Sequence, residues 1–350
     1  MAELIDILKA VAQSGASDLH LAVGKPPMAR LHGKIVPLQG AAAVTADECQ
    51  SMIYSVLSES QRARFEERWE LDGSVTVPGS QRFRLNVFRQ KNGLGAVFRA
   101  IPAKIPTSAE IGLMPAIANL VDLPRGLVLV TGPTGSGKST TLACLIESIN
   151  AKHNAHVLTI EDPIEFVYED KSSIILQREV GSDTLSFQAA LRHALRQDPD
   201  VILVGELRDL ETTQLAMTAA ETGHLCLATL HTRDASSTID RIIDVFPAHQ
   251  QAQVRVQLAG SLKGVISQLL AARADGEGMI AVREMMFGTP ALANLIREGK
   301  THMIRNVIET GGKDGMCTMD KCLEEYVRRG FITLTEAEAL GLPTPSKPVR

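Results

Sequence analysis

Aromatic residues are scarce in this 350-residue chain, at 4 % of the total. A protein that grips single-stranded nucleic acid by base stacking uses more of them. The net charge of −4 supplies no basic surface for a phosphate backbone or an acidic bilayer, so no nucleic acid is expected as partner. No apolar run approaches the roughly 18 residues of a membrane span, and the N-terminus lacks the basic-then-apolar order of a signal peptide. The expectation is a cytoplasmic protein. Cys49, Cys144, Cys226, Cys317 and Cys322 include no C-x-x-C pair, which argues against a zinc knuckle or a thioredoxin-type site. They are expected as reduced thiols, mostly buried. Internal repeats and low-complexity segments are also missing.

What is there is an ordinary globular composition, 45 % hydrophobic and 22 % charged, long enough for about two domains. Leu4, Ile5, Leu8 and Val11 place an amphipathic helix within Met1–Ala12. Strand-period alternation follows at Asp18–Val23 and Ala29–Val36, around a Gly24–Pro27 turn, then a helical stretch over Ala46–Trp69. Strands are expected at Leu71–Val77, Phe83–Arg89 and Gly95–Ile101. The first hundred residues (1–100) thus form an α+β domain, and two prolines in Ile101–Pro106 mark a linker, 101–110. From 111 to 290 strands alternate with helices, the pattern of a parallel sheet covered on both faces. The strands are Leu127–Thr131, His156–Ile160, Ile174–Gln177, Val201–Val204 and His224–Leu230, with Val265–Leu270 and Met279–Met286 as edge strands or a helix–strand pair. Residues 291–350 read as helical, with Pro343–Arg350 frayed.

Chemistry enters with Gly132-Pro133-Thr134-Gly135-Ser136-Gly137-Lys138-Ser139, a full G-x-x-x-x-G-K-[ST] phosphate loop. A buried strand, Gly126–Thr131, runs into it, and a helix beginning at Thr140 leaves it. The glycines let backbone N–H groups curl around phosphate oxygens, and the helix N-terminus adds its positive dipole end. Lys138 is expected on the β- and γ-phosphates and Ser139 on Mg²⁺. The chain is read as a binder of nucleoside triphosphate.

Three clusters extend the site. Val201–Val204 is an apolar strand, expected beside the phosphate loop, that leads through Gly205 to Glu206, a carboxylate placed to orient and deprotonate a water. Glu161, Asp162 and Glu165 follow a strand expected next to that of the loop, where gathered negative charge calls for a cation such as Mg²⁺. His224 and His231 bracket a buried strand. His231, at its C-terminal end, is placed to sense a γ-phosphate, whereas His224 cannot touch the same atom in one subunit.

In order, these clusters resemble the four boxes of the secretion-type ATPases that power type II secretion and type IV pili: Walker A at Gly132–Thr140, an Asp box at Thr159–Phe166, Walker B at Asp198–Asp209 and a His box at Thr222–Thr232. Ser17–Leu21 and Phe83–Asn86 look like the family's PAS-like domain. Phe246–Gln251, Val254–Leu258, Leu295–Lys300 and Thr310–Lys313 look like the pilus-retraction branch, the PilT family. The resemblance implies a PAS-like domain joined to a RecA-like P-loop ATPase domain with a helical C-terminal region. It implies a homohexamer that hydrolyses ATP with Mg²⁺ to drive pilus retraction, acting from the cytoplasmic face of the inner membrane on a platform protein, with a paralogous retraction ATPase as a further candidate partner.

By the same resemblance Glu206 is the base, Glu161 serves the Mg²⁺ and water network, and His224 and His231 couple hydrolysis to motion. Thr140 and Glu165 join the nucleotide set. Arg192 and Arg196 contact nucleotide or the subunit interface, and their i, i+4 spacing fits one helical face. Arg84 and Arg99 reach the phosphates from the N-terminal domain. One position departs from the retraction branch: Ala293 stands where an arginine is usual. An accessory paralogue that regulates a partner motor, and an assembly or secretion motor, are the alternatives; the latter is disfavoured by the lack of a tetracysteine zinc motif.

Overall fold

Apolar strands of two kinds, alternating in the first hundred residues and buried throughout in the centre of the second set, build two separate sheets in this chain. The computed structural model describes residues 3–31, 33–102 and 104–342; the expected frayed end, Pro343–Arg350, lies outside the described residues. The chain divides into two compact units, Met1–Lys104 with Pro163–Val167, and Ile105–Asp162 with Tyr168–Arg350.

In the first unit β1 (Asp18–Ala22), β2 (Met28–Leu31), β3 (Lys34–Pro37), β4 (Glu70–Thr76), β5 (Arg82–Gln90) and β6 (Gly93–Ala100) form one antiparallel sheet, ordered β3-β2-β1-β6-β5-β4. Helices α1 (Leu4–Gln13), α2 (Ala46–Val56) and α3 (Glu59–Arg68) bring Leu4, Leu8, Ile53 and Phe65 onto Leu19, Leu21, Phe83, Leu85 and Phe98. Two expectations are corrected. The single strand over Ala29–Val36 is a hairpin, because Leu31 pairs with Lys34 across a turn through Gly33 at φ 80°. The single helix over Ala46–Trp69 is two, because Ser58 caps a second start in a reciprocal capping box with Gln61.

The second unit opens with α4 (Pro115–Ala118) and alternates β7 (Gly126–Thr131), α5 (Lys138–Lys152), β8 (His156–Glu161), β9 (Ile174–Glu179), α6 (Phe187–Ala194), β10 (Val201–Val204), α7 (Leu210–Glu221), β11 (Leu225–Leu230), α8 (Ala235–Asp244), α9 (Ala248–Ser261), β12 (Leu262–Ala272) and β13 (Met279–Phe287). The sheet order is β13-β12-β7-β11-β10-β8-β9, parallel except for β13. Neighbouring residues of one strand serve opposite faces. Leu127, Leu129, Ile202, Val204, Cys226 and Ala228 pack with α6 to α9, while Val128, Val130, Leu203 and Leu227 pack with Leu142, Leu145 and Ile149 of α5. The helices after Pro290 are α10 (Pro290–Glu298), α11 (Ile304–Thr310), α12 (Met319–Arg328) and α13 (Leu334–Ala339). They form no separate tail: Leu292, Ile296 and Ile304 join the main core, and Leu323 and Ala337 pack with Ala271 and Val282 of the last two strands.

Candidate functional site

Every strand of the parallel set ends on the same edge of the sheet, and the residues of interest follow those ends. Thr131 of β7 pairs with Leu230 of β11, Ala228 of β11 with Val204 of β10, and Val204 with Ile160 of β8. The phosphate loop, His231, Glu206 and Glu161 therefore line one edge in that spatial order. Neither acidic cluster borders β7, contrary to expectation: β11 separates β7 from β10, and both β11 and β10 separate it from β8. The neighbours of β7 are β12 and β11, and β11 is the one that ends at His231.

Gly132 opens the loop at φ 141°, and a Cβ there would lie 2.3 Å from the carbonyl oxygen of Gln268. Only glycine lets the loop sit this close to β12. Lys138 is buried, and its ammonium donates to the carbonyls of Gly132 (2.8 Å) and Pro133 (3.0 Å). Lys138 and Ser139 are the first two residues of α5, so both follow the loop directly at the helix N-terminus, where N–H groups lack intrahelical partners. The Ser136 hydroxyl is buried with no hydrogen-bond partner among the described residues.

Glu206 is held from two sides. Its Oε2 lies 2.8 Å from Nε of Arg208, and its Oε1 lies 3.3 Å from Nε2 of His231. Gly205 sets this up: its N–H donates to Ile160 O at 2.8 Å, and the Thr229 hydroxyl donates to its carbonyl. A Cβ at 205 would stand 3.2 Å from Ile160 O and 3.4 Å from Glu161 Cα, a tight fit against backbone. Glu161 accepts from the Thr159 hydroxyl at 2.7 Å and from Gln177 Nε2 at 3.3 Å. Asp209 caps α7, accepting from Thr212 N at 2.9 Å. Burial pushes its carboxyl up, but the bonds from Thr212 and Gln188 outweigh this and leave it below the usual range.

Some expected residues fall elsewhere. Among the described residues no three Asp, Glu, His or Cys side chains converge as a metal cage. His224 lies at the opposite end of β11, with Nδ1 3.0 Å from Ala219 O; within one chain it is remote from the loop. Helix α6 stops at Ala194, so Arg196 sits in the turn beyond it and the shared helical face with Arg192 is not formed. Arg192 is an exposed partner of Glu211. In the first unit Arg30, Asp18, Arg99 and Arg84 form one cross-strand row over β2, β1, β6 and β5. Arg99 Nε donates to Asp18 Oδ1 at 2.8 Å and Arg84 is exposed. Burial raises the Asp18 carboxyl, yet the bonds from Arg99 and Ser17 prevail and hold it below the usual value. Ala293 on α10 lines a small cleft with Ala259, Gly260 and Lys263.

Sequence reasoning missed Arg208, although its position two residues beyond Glu206 past a strand end was a usable signal. It also missed Ser267 and Gln268, which lie more than 125 positions from their partners in β7, the loop and helix α5.

Comparison with known proteins finds relatives over nearly the whole chain. A family model described as type II/IV secretion system protein matches residues 2–286. The type IV pilus retraction ATPase PilT of Pseudomonas aeruginosa is 51 % identical over 335 residues, covering 96 % of this chain and 97 % of that protein. The type IV pilus ATPase PilU of the same organism is 39 % identical, covering 96 % and 88 %. A crystal structure of the pilus retraction motor PilT with bound ADP superposes with a TM-score of 0.92 at 45 % identity, covering 99 % of this chain and 98 % of that one.

Proposed function

We propose, for a chain that belongs to the type II/IV secretion system protein family, a hexameric motor that hydrolyses ATP to drive type IV pilus retraction. The observation that carries the enzymatic part is Glu206, gripped by Arg208 and His231 on the sheet edge that also bears the phosphate loop. A carboxylate fixed from two sides is oriented toward an attacking water without having to be ordered during the reaction. Lys138 and the N–H groups of the loop would take up phosphate charge. Ser139 would hold Mg²⁺ together with phosphate oxygens and water. Arg84 and Arg99 would contribute guanidinium charge to the phosphates in the working ring.

Greater identity to PilT than to PilU supports the main motor over the accessory reading. The partner would be an inner-membrane platform protein, met from the cytoplasmic side. Among the described residues no helix is long and apolar enough to cross a membrane, which suits a motor docked at the surface.

The test is Mg²⁺-dependent ATPase activity of the purified protein, with mass in solution recorded on the same sample. Activity in a particle of six 37.7 kDa chains is expected. Lys138→Ala should lose nucleotide binding or turnover, and Glu206→Gln should bind ATP without hydrolysing it. Normal turnover by Glu206→Gln would remove Glu206 as the base.

A further inference from the structure

Strand β12 meets β7 in register as far as Ser267 and Thr131, whose hydroxyls lie 2.8 Å apart. Gln268 is the next residue of β12, standing where the chain leaves β7 to form the phosphate loop. It is 1 % exposed. Its Nε2 donates to the carbonyl of Ser136 at 2.6 Å, and its Oε1 accepts from the hydroxyl of Thr141 at 2.9 Å. Thr141, itself 1 % exposed, lies in the first turn of α5. The backbone carbonyl of Gln268 is also the atom that a side chain at Gly132 would strike. One residue of β12 thus touches the start of the loop, its middle and the helix that follows.

The two partners fix the chemistry required. The Ser136 carbonyl can only accept, and the Thr141 hydroxyl is free to donate, so the residue between them must offer one donor and one acceptor, as a carboxamide does. The peptide group explains why this matters. In a planar trans peptide the C=O of Ser136 and the N–H of Gly137 point in opposite directions. Drawing the Ser136 carbonyl inward onto Gln268 turns the Gly137 N–H the opposite way, away from Gln268. A loop that grips phosphate needs its carbonyls turned away and satisfied, since a buried carbonyl without a partner would rotate the peptide back.

We propose that Gln268 is a positioning residue for nucleotide phosphates, holding the Ser136–Gly137 peptide in its anion-binding orientation and tying it to the first turn of α5. The proposal rests on the nucleotide reading above and adds to it a residue that touches no phosphate itself.

The experiment uses the full chain, titrated with a fluorescent ADP and assayed for ATP turnover with Mg²⁺, with melting temperature recorded for each variant. Gln268→Glu keeps the size and the acceptor but loses the donor. Its ADP dissociation constant and its KM for ATP should rise together by about tenfold, the loss of roughly one hydrogen bond, with kcat at saturation within about threefold. Thr141→Val cuts the other arm, and should give a smaller rise that is less than additive with Gln268→Glu in the double variant. A purely structural role predicts a different pattern, a reduced active fraction that lowers kcat and leaves KM alone. That pattern, or ADP binding within twofold of wild type by both single variants, overturns the proposal. Should Gln268→Glu fail to fold, the KM of Thr141→Val decides in the same way. Failure of the wild-type protein to bind ADP would overturn the nucleotide reading itself, a result distinct from normal binding by the variants.

Discussion

Arg208 shows how much of the site depends on single side chains that a motif does not single out. Its guanidinium and the His231 ring approach different oxygens of Glu206, so the two together restrict rotation of the carboxylate. Losing one leaves the base present but less well aimed, an effect expected in the rate of the chemical step rather than in substrate binding. Arg208→Ala should lower kcat by about tenfold or more with little change in KM. A steady-state titration of ATP separates the two, and an unchanged kcat would confine Arg208 to a surface ion pair, since it is 63 % exposed.

At the scale of elements, strand β13 carries adjacent buried charges that tie other elements to the sheet. Arg283, 2 % exposed, donates to the carbonyls of Ile111 (3.2 Å) and Gly112 (3.1 Å), pinning the segment before α4. Glu284, 8 % exposed, accepts from Ala235 N at 2.8 Å and Met319 N at 3.4 Å, the first residues of α8 and α12. One carboxylate thus serves two helix N-termini, each of which has N–H groups without intrahelical partners. Glu284→Ala should destabilise the fold by about 3 kcal/mol, because it leaves those buried donors unmet. Denaturant unfolding measures this, and a loss below about 0.5 kcal/mol would show that water replaces the carboxylate at no cost. Glu284 also links the helix that follows His231 to the C-terminal helices, a connection the sequence pattern does not display.

Over the whole molecule, two cores are stabilised by different means. The second unit covers a parallel sheet on both faces with helices, whereas the first covers one face and leaves the row Arg30, Asp18, Arg99 and Arg84 on the other. Asp18 is 3 % exposed, and its carboxyl titrates below its ordinary value. A carboxyl depressed in the folded state contributes stability that is fully present above the unfolded value of 3.8 and is lost as pH falls through the lower folded value. Asp18→Asn should therefore be less stable than wild type near neutrality, with the difference shrinking as the solution is acidified below pH 3.8. Melting temperatures recorded from pH 7 down to pH 3 test this, and a difference independent of pH would assign the effect to packing.

The sequence by itself determined what depends on neighbours along the chain. The phosphate loop, its flanking strand and helix, and the apolar runs of β10 and β11 were legible because periodicity and turn chemistry act over a few residues. Glu206, His231 and Lys138 could be singled out as residues next to strand ends or loops. Tertiary structure decided what depends on strand order and on partners distant in sequence. Only the sheet order shows that β11, rather than β8 or β10, borders β7, and only packing shows how closely Gly205 lies against the backbone of Ile160 and Glu161. The hairpin at Gly33 and the second helix start at Ser58 were misread because the apolar pattern ran on through a local stop signal. Gln268 gave no signal at all: its role arises from a hydrogen-bond geometry closed across 132 positions of sequence, and no pattern within a short window encodes that.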